Sequence, residues 1–100
     1  MIEVVDKDFQ ETLAGKNYIV DMHAQWCGPC KALAPILEQV EKETGIPVYK
    51  VDIDEHDLLA SKYGVRAVPT VIFFKNGEPV ETIVGFVARD RFLEAARKLV

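Results

Sequence analysis

Cys27 and Cys30 are the two cysteines of a 100-residue chain, three positions apart in Trp26-Cys27-Gly28-Pro29-Cys30. Such a pair suits a zinc half-site, a structural staple or a redox dithiol. A structural zinc needs four ligands. No second Cys-x-x-Cys exists, and His23 and His56 are not spaced as a ligand pair. A disulfide is attacked by a thiolate, so a redox cysteine must ionise more readily than a free one. A helix starting around Cys27 to Pro29 would direct unpaired N–H groups and its positive dipole end at Cys27. Pro29 fits a first-turn position, where no N–H donor is needed. Cys30 then falls one turn on, on the same face, within bridging reach. Cys27 would attack a partner's disulfide to form a mixed disulfide, and Cys30 would attack Cys27 to release the reduced partner.

Two further ionisable residues lie just upstream. Asp21 sits in an apolar strand between Val20 and Met22. It reads either as an exposed strand-end charge or as a buried carboxyl whose pKa rises through lost hydration. Strand alternation puts His23 on the same face as Asp21. It is either a polar filler partly open to water or an imidazole near Asp21 or the sulfurs, a pH modulator of the dithiol.

Alternating strand-like and helix-like segments must position these groups, which implies a single α/β domain over residues 1–100. Ile2 to Val5 reads as a short edge strand, followed by Asp6-Lys7-Asp8 and a helix carrying Phe9 and Leu13, stopped by Gly15 and Asn17. Tyr18 to His23 reads as a strand covered on both faces that leads directly to the cysteines. Leu33, Ile36, Leu37 and Val40 then form a helical stripe, with a kink expected at Pro35 and an end at Thr44-Gly45. Pro47 to Ile53 reads as a second buried strand, and Leu58 to Tyr63 as a short helix closed by Gly64. Thr70 to Lys75 and Val80 to Val84 flank Asn76-Gly77, which suits a type I′ hairpin turn. Phe92, Leu93, Ala96 and Val100 make a last amphipathic stripe, with Glu94 placed to pair with Lys98.

Composition narrows the function classes. Twelve basic residues against sixteen acidic ones leave a net charge of −4, which offers no basic field for nucleic acid. The start of the chain lacks the pattern of a signal peptide, and no apolar run approaches a membrane span, so a cytoplasmic monomer is expected. The acidic cluster Asp52, Asp54, Glu55 and Asp57 lacks the spacing of a calcium loop and reads as a solvated turn.

Trp26-Cys27-Gly28-Pro29-Cys30-Lys31, with Ala24 before it and Pro35 after it, resembles the active-site segment of the thioredoxin family. The resemblance continues through Lys50-Val51-Asp52-Ile53-Asp54, Tyr63-Gly64-Val65, Val68-Pro69-Thr70, Phe74-Lys75-Asn76-Gly77 and Gly85, and so spans the chain. It implies the thioredoxin fold: a central mixed sheet, parallel in its core with a C-terminal antiparallel hairpin, flanked by helices on both faces. It also implies a cis bond before Pro69 and a general protein disulfide reductase. Asp21 matches the family's buried carboxyl and Lys50 its partner lysine, serving Cys30 as proton acceptor. Trp26, Gly28, Pro29, Val68, Pro69, Thr70 and Gly85 match its substrate-docking surface. The implied partners are a thioredoxin reductase, NADPH- or ferredoxin-linked, and clients such as peroxiredoxins, methionine sulfoxide reductases or ribonucleotide reductase. No metal or prosthetic group is implied, because the sulfurs carry the electrons. Gly28-Pro29 between the cysteines resembles the reducing members more than the oxidases and isomerases, and a non-catalytic binding module is the remaining rival. The chain departs from the family at His23, where a large aromatic is usual, and at Met22, where Phe is common.

Overall fold

The computed structural model describes residues 1–6 and 8–100; Lys7, within the expected Asp6-Lys7-Asp8 turn, lies outside the described residues. Nine elements follow in order: β1 (Ile2–Glu3), α1 (Phe9–Thr12), β2 (Tyr18–His23), α2 (Gly28–Thr44), β3 (Val48–Asp52), α3 (Asp57–Lys62), β4 (Thr70–Lys75), β5 (Glu78–Val84) and α4 (Arg89–Arg97). They form one mixed sheet in the order β1-β3-β2-β4-β5. β3 pairs in parallel with both β1 and β2, whereas β4 runs antiparallel to β2 and to β5.

β2 is central, and all six of its residues are buried, as its near-continuous apolar run requires of a strand covered on both faces. Alternation divides its side chains between two cores. Ile19 packs with Leu33, Leu37 and Val40 of α2, Phe92 and Ala96 of α4, and Phe73. Tyr18, Val20 and Met22 pack on the opposite face with Leu13, Val51, Ile72 and Phe74. Asp21 and His23 therefore project to the side covered by α2, the helix that begins at the cysteines. α2 continues through Pro35, which removes one ladder bond without ending the helix, and closes on Gly45 in the left-handed region.

The hairpin between β4 and β5 has a two-residue loop, with Lys75 opposite Glu78. Asn76 (φ 54°) and Gly77 (φ 81°) both take left-handed backbone, as a type I′ turn demands. β5 consequently starts at Glu78, two residues earlier than its apolar run suggests. β1 is shorter than expected, ending at Glu3, although Val4 is buried behind it and its N–H bonds the Lys50 carbonyl. The last helix corrects two expectations. Leu99, not Val100, completes the buried stripe, because the chain leaves the helix at Arg97 and Val100 points to solvent. Glu94 lies by Arg91, while Lys98 reaches Glu81 on β5.

Gly77 closes against the turn that ends the first helical segment: its N–H bonds the Lys16 carbonyl at 2.8 Å. A Cβ built on Gly77 would lie 2.8 Å from the Gly15 backbone nitrogen, in addition to the positive φ. Neither backbone retreats cheaply, so Gly77→Ala should destabilise the fold by about 2 kcal/mol or more, lowering the melting temperature by roughly 10 °C. A melting temperature within a degree or two of the parent would contradict that tight packing.

Candidate functional site

α2 starts immediately after Cys27, which takes extended backbone as its N-cap, with Gly28 and Pro29 filling the first two helical positions. Pro29 costs no hydrogen bond there. The Cys30 N–H points at the Cys27 sulfur at 3.2 Å, so a thiolate on Cys27 receives a backbone hydrogen bond and the positive end of a 17-residue helix. Cys27 and Cys30 are joined as a disulfide, with their Cα atoms 5.3 Å apart. Both are largely covered by Ala24, Ile53 and Val68.

The surface around the sulfurs is uneven. Trp26 is 70% exposed and donates from Nε1 to Asp54 at 3.0 Å, so its indole is held across to the β3–α3 connection. Gly28 and Pro29 are exposed, Val68 and Gly85 half-buried, and Pro69 buried. The Val68–Pro69 peptide is cis. The Pro69 carbonyl accepts from Gly85 N–H at 2.8 Å, and the buried Thr70 hydroxyl donates to the Ala67 carbonyl at 2.6 Å. Thr70 thus anchors this loop through its side chain, which is turned away from the surface. Beyond Gly85, Val84 and Phe86 add exposed apolar surface.

Asp21 lies beneath the disulfide on β2, 1% exposed, and neither carboxylate oxygen has a hydrogen-bond partner among the described residues. Burial pushes its pKa from 3.8 up to about 6; the charges of His23 and Lys50 pull the other way, and Glu3 reinforces the rise. The exposed strand-end reading of Asp21 is therefore wrong. Sheet register explains the grouping: Lys50 on β3 is opposite Asp21 on one side and Glu3 of β1 on the other. Paired residues share a sheet face, so the three line up beneath α2.

His23 is buried, not partly open to water, and its Nε2 lies 3.2 Å from a Glu3 carboxylate oxygen. A cavity of about 260 Å³ joins Asp21, His23 and Glu3 to Cys30, Lys31 and Lys50. A larger open groove of about 830 Å³, between α2 and α4, contains none of these residues. Among the described residues, no three metal-ligating side chains converge.

Three contributors were not visible as such in the sequence. Asp54 positions the Trp26 indole and Glu3 meets His23, while Asp52 is buried and accepts from Asp54 N–H at 2.8 Å instead of standing in solvent. The Lys50 to Asp54 segment was a signal for Asp54; nothing local to Glu3 marks it, because its contact depends on the order of the strands.

The family model described as Thioredoxin matches residues 1–98. A thioredoxin of Staphylococcus epidermidis is 39% identical over 100 residues, covering 98% of this chain and 96% of that protein. Among solved structures, a mutant thioredoxin from Halobacterium salinarum NRC-1 superposes with a TM-score of 0.88 at 36% identity, covering 98% of this chain and 88% of that one. Reduced Schistosoma mansoni thioredoxin pre-protein superposes with a TM-score of 0.89 at 35% identity, covering 99% and 97%.

Proposed function

The chain belongs to the thioredoxin family, is a thiol-disulfide oxidoreductase with a protein disulfide reductase role, and from that premise we propose how its residues divide the work. Cys27 is the attacking thiolate and Cys30 the resolving thiol. The observation that carries this assignment is the N-cap position of Cys27, with the Cys30 N–H directed at its sulfur. In the first step the Cys27 thiolate bonds to one sulfur of the client disulfide and the other client sulfur leaves as a thiolate. Cys30 then passes its proton to the Asp21 carboxylate and attacks Cys27, and the second client thiolate leaves. The client gains two electrons and the chain ends as the Cys27–Cys30 disulfide.

Lys50 supports Asp21 by favouring its ionised form, since its charge opposes the effect of burial. Clients dock on Trp26, Gly28, Pro29, Val68 and Gly85, with the Pro69–Thr70 backbone beside them. A thioredoxin reductase, NADPH- or ferredoxin-linked, restores the dithiol, and peroxiredoxins, methionine sulfoxide reductases or ribonucleotide reductase are the class of client. The cytoplasm is the compartment that suits this chemistry. Among the described residues no helix is long and apolar enough to cross a membrane.

Reduction of insulin disulfides with dithiothreitol as electron source tests the activity, and a glutathione-buffered equilibrium tests its direction. A standard potential near about −270 mV, the general thioredoxin figure and not one calculated from this site, supports a reductase. A value near about −120 to −180 mV would make the chain an oxidase or isomerase. Activity independent of Cys27 would make it a binding module.

Trp26 gives a separate test of docking. Trp26→Ala should raise KM for a protein disulfide about fivefold, equivalent to about 1 kcal/mol of lost contact, with little change in kcat. Reaction with a small aromatic disulfide reagent should be nearly unaffected. Equal losses with both substrates would mean that Trp26 supports the dithiol itself.

A further inference from the structure

The proton that Asp21 takes from Cys30 has to leave a carboxyl that is 1% exposed and has no hydrogen-bond partner among the described residues. The cavity of about 260 Å³ beside it is large enough for water and offers it the polar groups of Gln25, Lys31 and Lys50, and its wall carries the His23–Glu3 contact at 3.2 Å. The Glu3 side chain is 44% exposed, against 9% for that of His23, so the pair grades from buried to solvated. We propose that His23 and Glu3 form the outlet of the proton route, with His23 taking the proton from Asp21 across the cavity and Glu3 holding the imidazolium until it releases the proton to solvent. This rests on the reading of Asp21 as the proton acceptor for Cys30.

The chemistry of the pair fits that task. The imidazole tautomer that donates from Nε2 to the Glu3 carboxylate keeps Nδ1 as its acceptor nitrogen. Proton gain there gives an imidazolium already paired with an anion, and loss to bulk water returns the starting tautomer. No electron moves and no bond between heavy atoms changes. The charges facing His23 are Glu3 from β1, Asp21 from its own strand, Lys50 and Asp52 from β3, and Lys31 from α2. Lys50 and Lys31 oppose a third positive charge in the cavity, while Glu3, Asp52 and ionised Asp21 favour it. When His23 takes the proton, Asp21 returns to its carboxylate and is ready for the next proton from Cys30, and the imidazolium is left beside the half-exposed Glu3, from which bulk water can take the proton. A large aromatic at position 23 would close this route with a group that cannot carry a proton.

The test is single-turnover oxidation of the reduced protein by insulin disulfides from pH 5 to 9 in weak buffer, followed by the fluorescence of its one tryptophan. His23→Ala and Glu3→Gln are compared with the parent, Glu3→Gln being a near-isosteric change at a side chain 44% exposed, with the melting temperature of each variant measured alongside. Both variants are expected to slow the resolving step about fivefold at pH 7, short of the ~10²-fold that follows loss of an acid–base group outright. They should also flatten the pH profile near neutrality, and added imidazole should restore the rate of His23→Ala without accelerating the parent. Parental rates and profiles in both variants would overturn the outlet, as would a slow His23→Ala that keeps the parental profile and ignores imidazole. Asp21→Ala separates the two levels. If its profile differs from the parent while the His23 and Glu3 variants do not, only the outlet fails; if its profile is parental, the Asp21 reading fails and the outlet with it.

Discussion

A Cys30→Ser variant is expected to stall halfway, linked to its client through Cys27, with turnover reduced by roughly 10³-fold or more. The activation of Cys27 survives the change, because the hydrogen bond to its sulfur comes from the backbone N–H of residue 30 and the helix that follows is untouched. What is lost is the neighbouring thiol. In the parent, the two Cα atoms are 5.3 Å apart, so the resolving attack is intramolecular, with an effective concentration far above that of any external thiol. A serine hydroxyl does not ionise near neutral pH and forms no bond to the trapped sulfur. Mass spectrometry of the reaction with insulin should show a persistent adduct that dithiothreitol dissolves. Cys27→Ser, by contrast, should give neither adduct nor turnover, since it removes the first nucleophile. An adduct with Cys27→Ser and none with Cys30→Ser would reverse the roles; full turnover by Cys30→Ser would make the chain a one-thiol catalyst.

The features legible in the sequence are those whose physics is local. Cys27, Pro29 and the helix that follows them are contiguous, so the N-cap and the dithiol spacing could be read together. Asn76-Gly77 declares its turn because both residues tolerate the left-handed backbone with which a type I′ turn closes a two-residue loop in keeping with the strands' twist. Asp21 needed more. Its neighbours suggested burial without requiring it, and resemblance decided the matter before the structure placed it between Ile19 and His23 under α2. The pairing of Lys50 with Asp21 on one side and Glu3 on the other follows from strand order β1-β3-β2, which no periodicity in the chain encodes. Contacts decided by such long-range register escaped: Glu3 with His23, Lys98 with Glu81, Trp26 with Asp54. At the C-terminus the helical phase failed by one residue, because the helix ends at Arg97 and Leu99 turns inward from a looser final turn. Thr70 was legible by position but not by orientation, since a strand-start hydroxyl can point to a partner or back to the preceding loop.

Asp21→Ala is expected to make the oxidised protein more stable at neutral pH and slower as a reductase, and the stability gain should depend on pH in one direction only. Burial raises the folded pKa of Asp21 from 3.8 to about 6, so between those values the folded state holds a proton that the unfolded chain has released. Stability is therefore undiminished by ionisation below pH 3.8 and falls as pH rises through about 6, above which a buried, unpartnered carboxylate must be carried. The rise of about two pH units corresponds to about 3 kcal/mol. Alanine has no proton to lose, so the stability of Asp21→Ala relative to the parent should increase by about 2 kcal/mol between pH 4 and pH 7.5, the rest of the effect falling below pH 4, and then level off. Urea unfolding of both oxidised proteins across that range measures this directly. Comparing the difference at two pH values removes the constant cost of the deleted carboxyl's packing, which is the same at each. The rate should move the opposite way, with the resolving step dropping about 10²-fold at pH 7 for insulin reduction, as expected if Asp21 is the base that accepts the proton of Cys30. A difference that stays flat from pH 4 to 7.5 would mean that Asp21 ionises as freely in the fold as in the unfolded chain, and a parental rate would mean that Cys30 gives up its proton by another path. Only the combination of greater stability and slower chemistry identifies a carboxyl kept at the expense of the fold for the sake of the reaction.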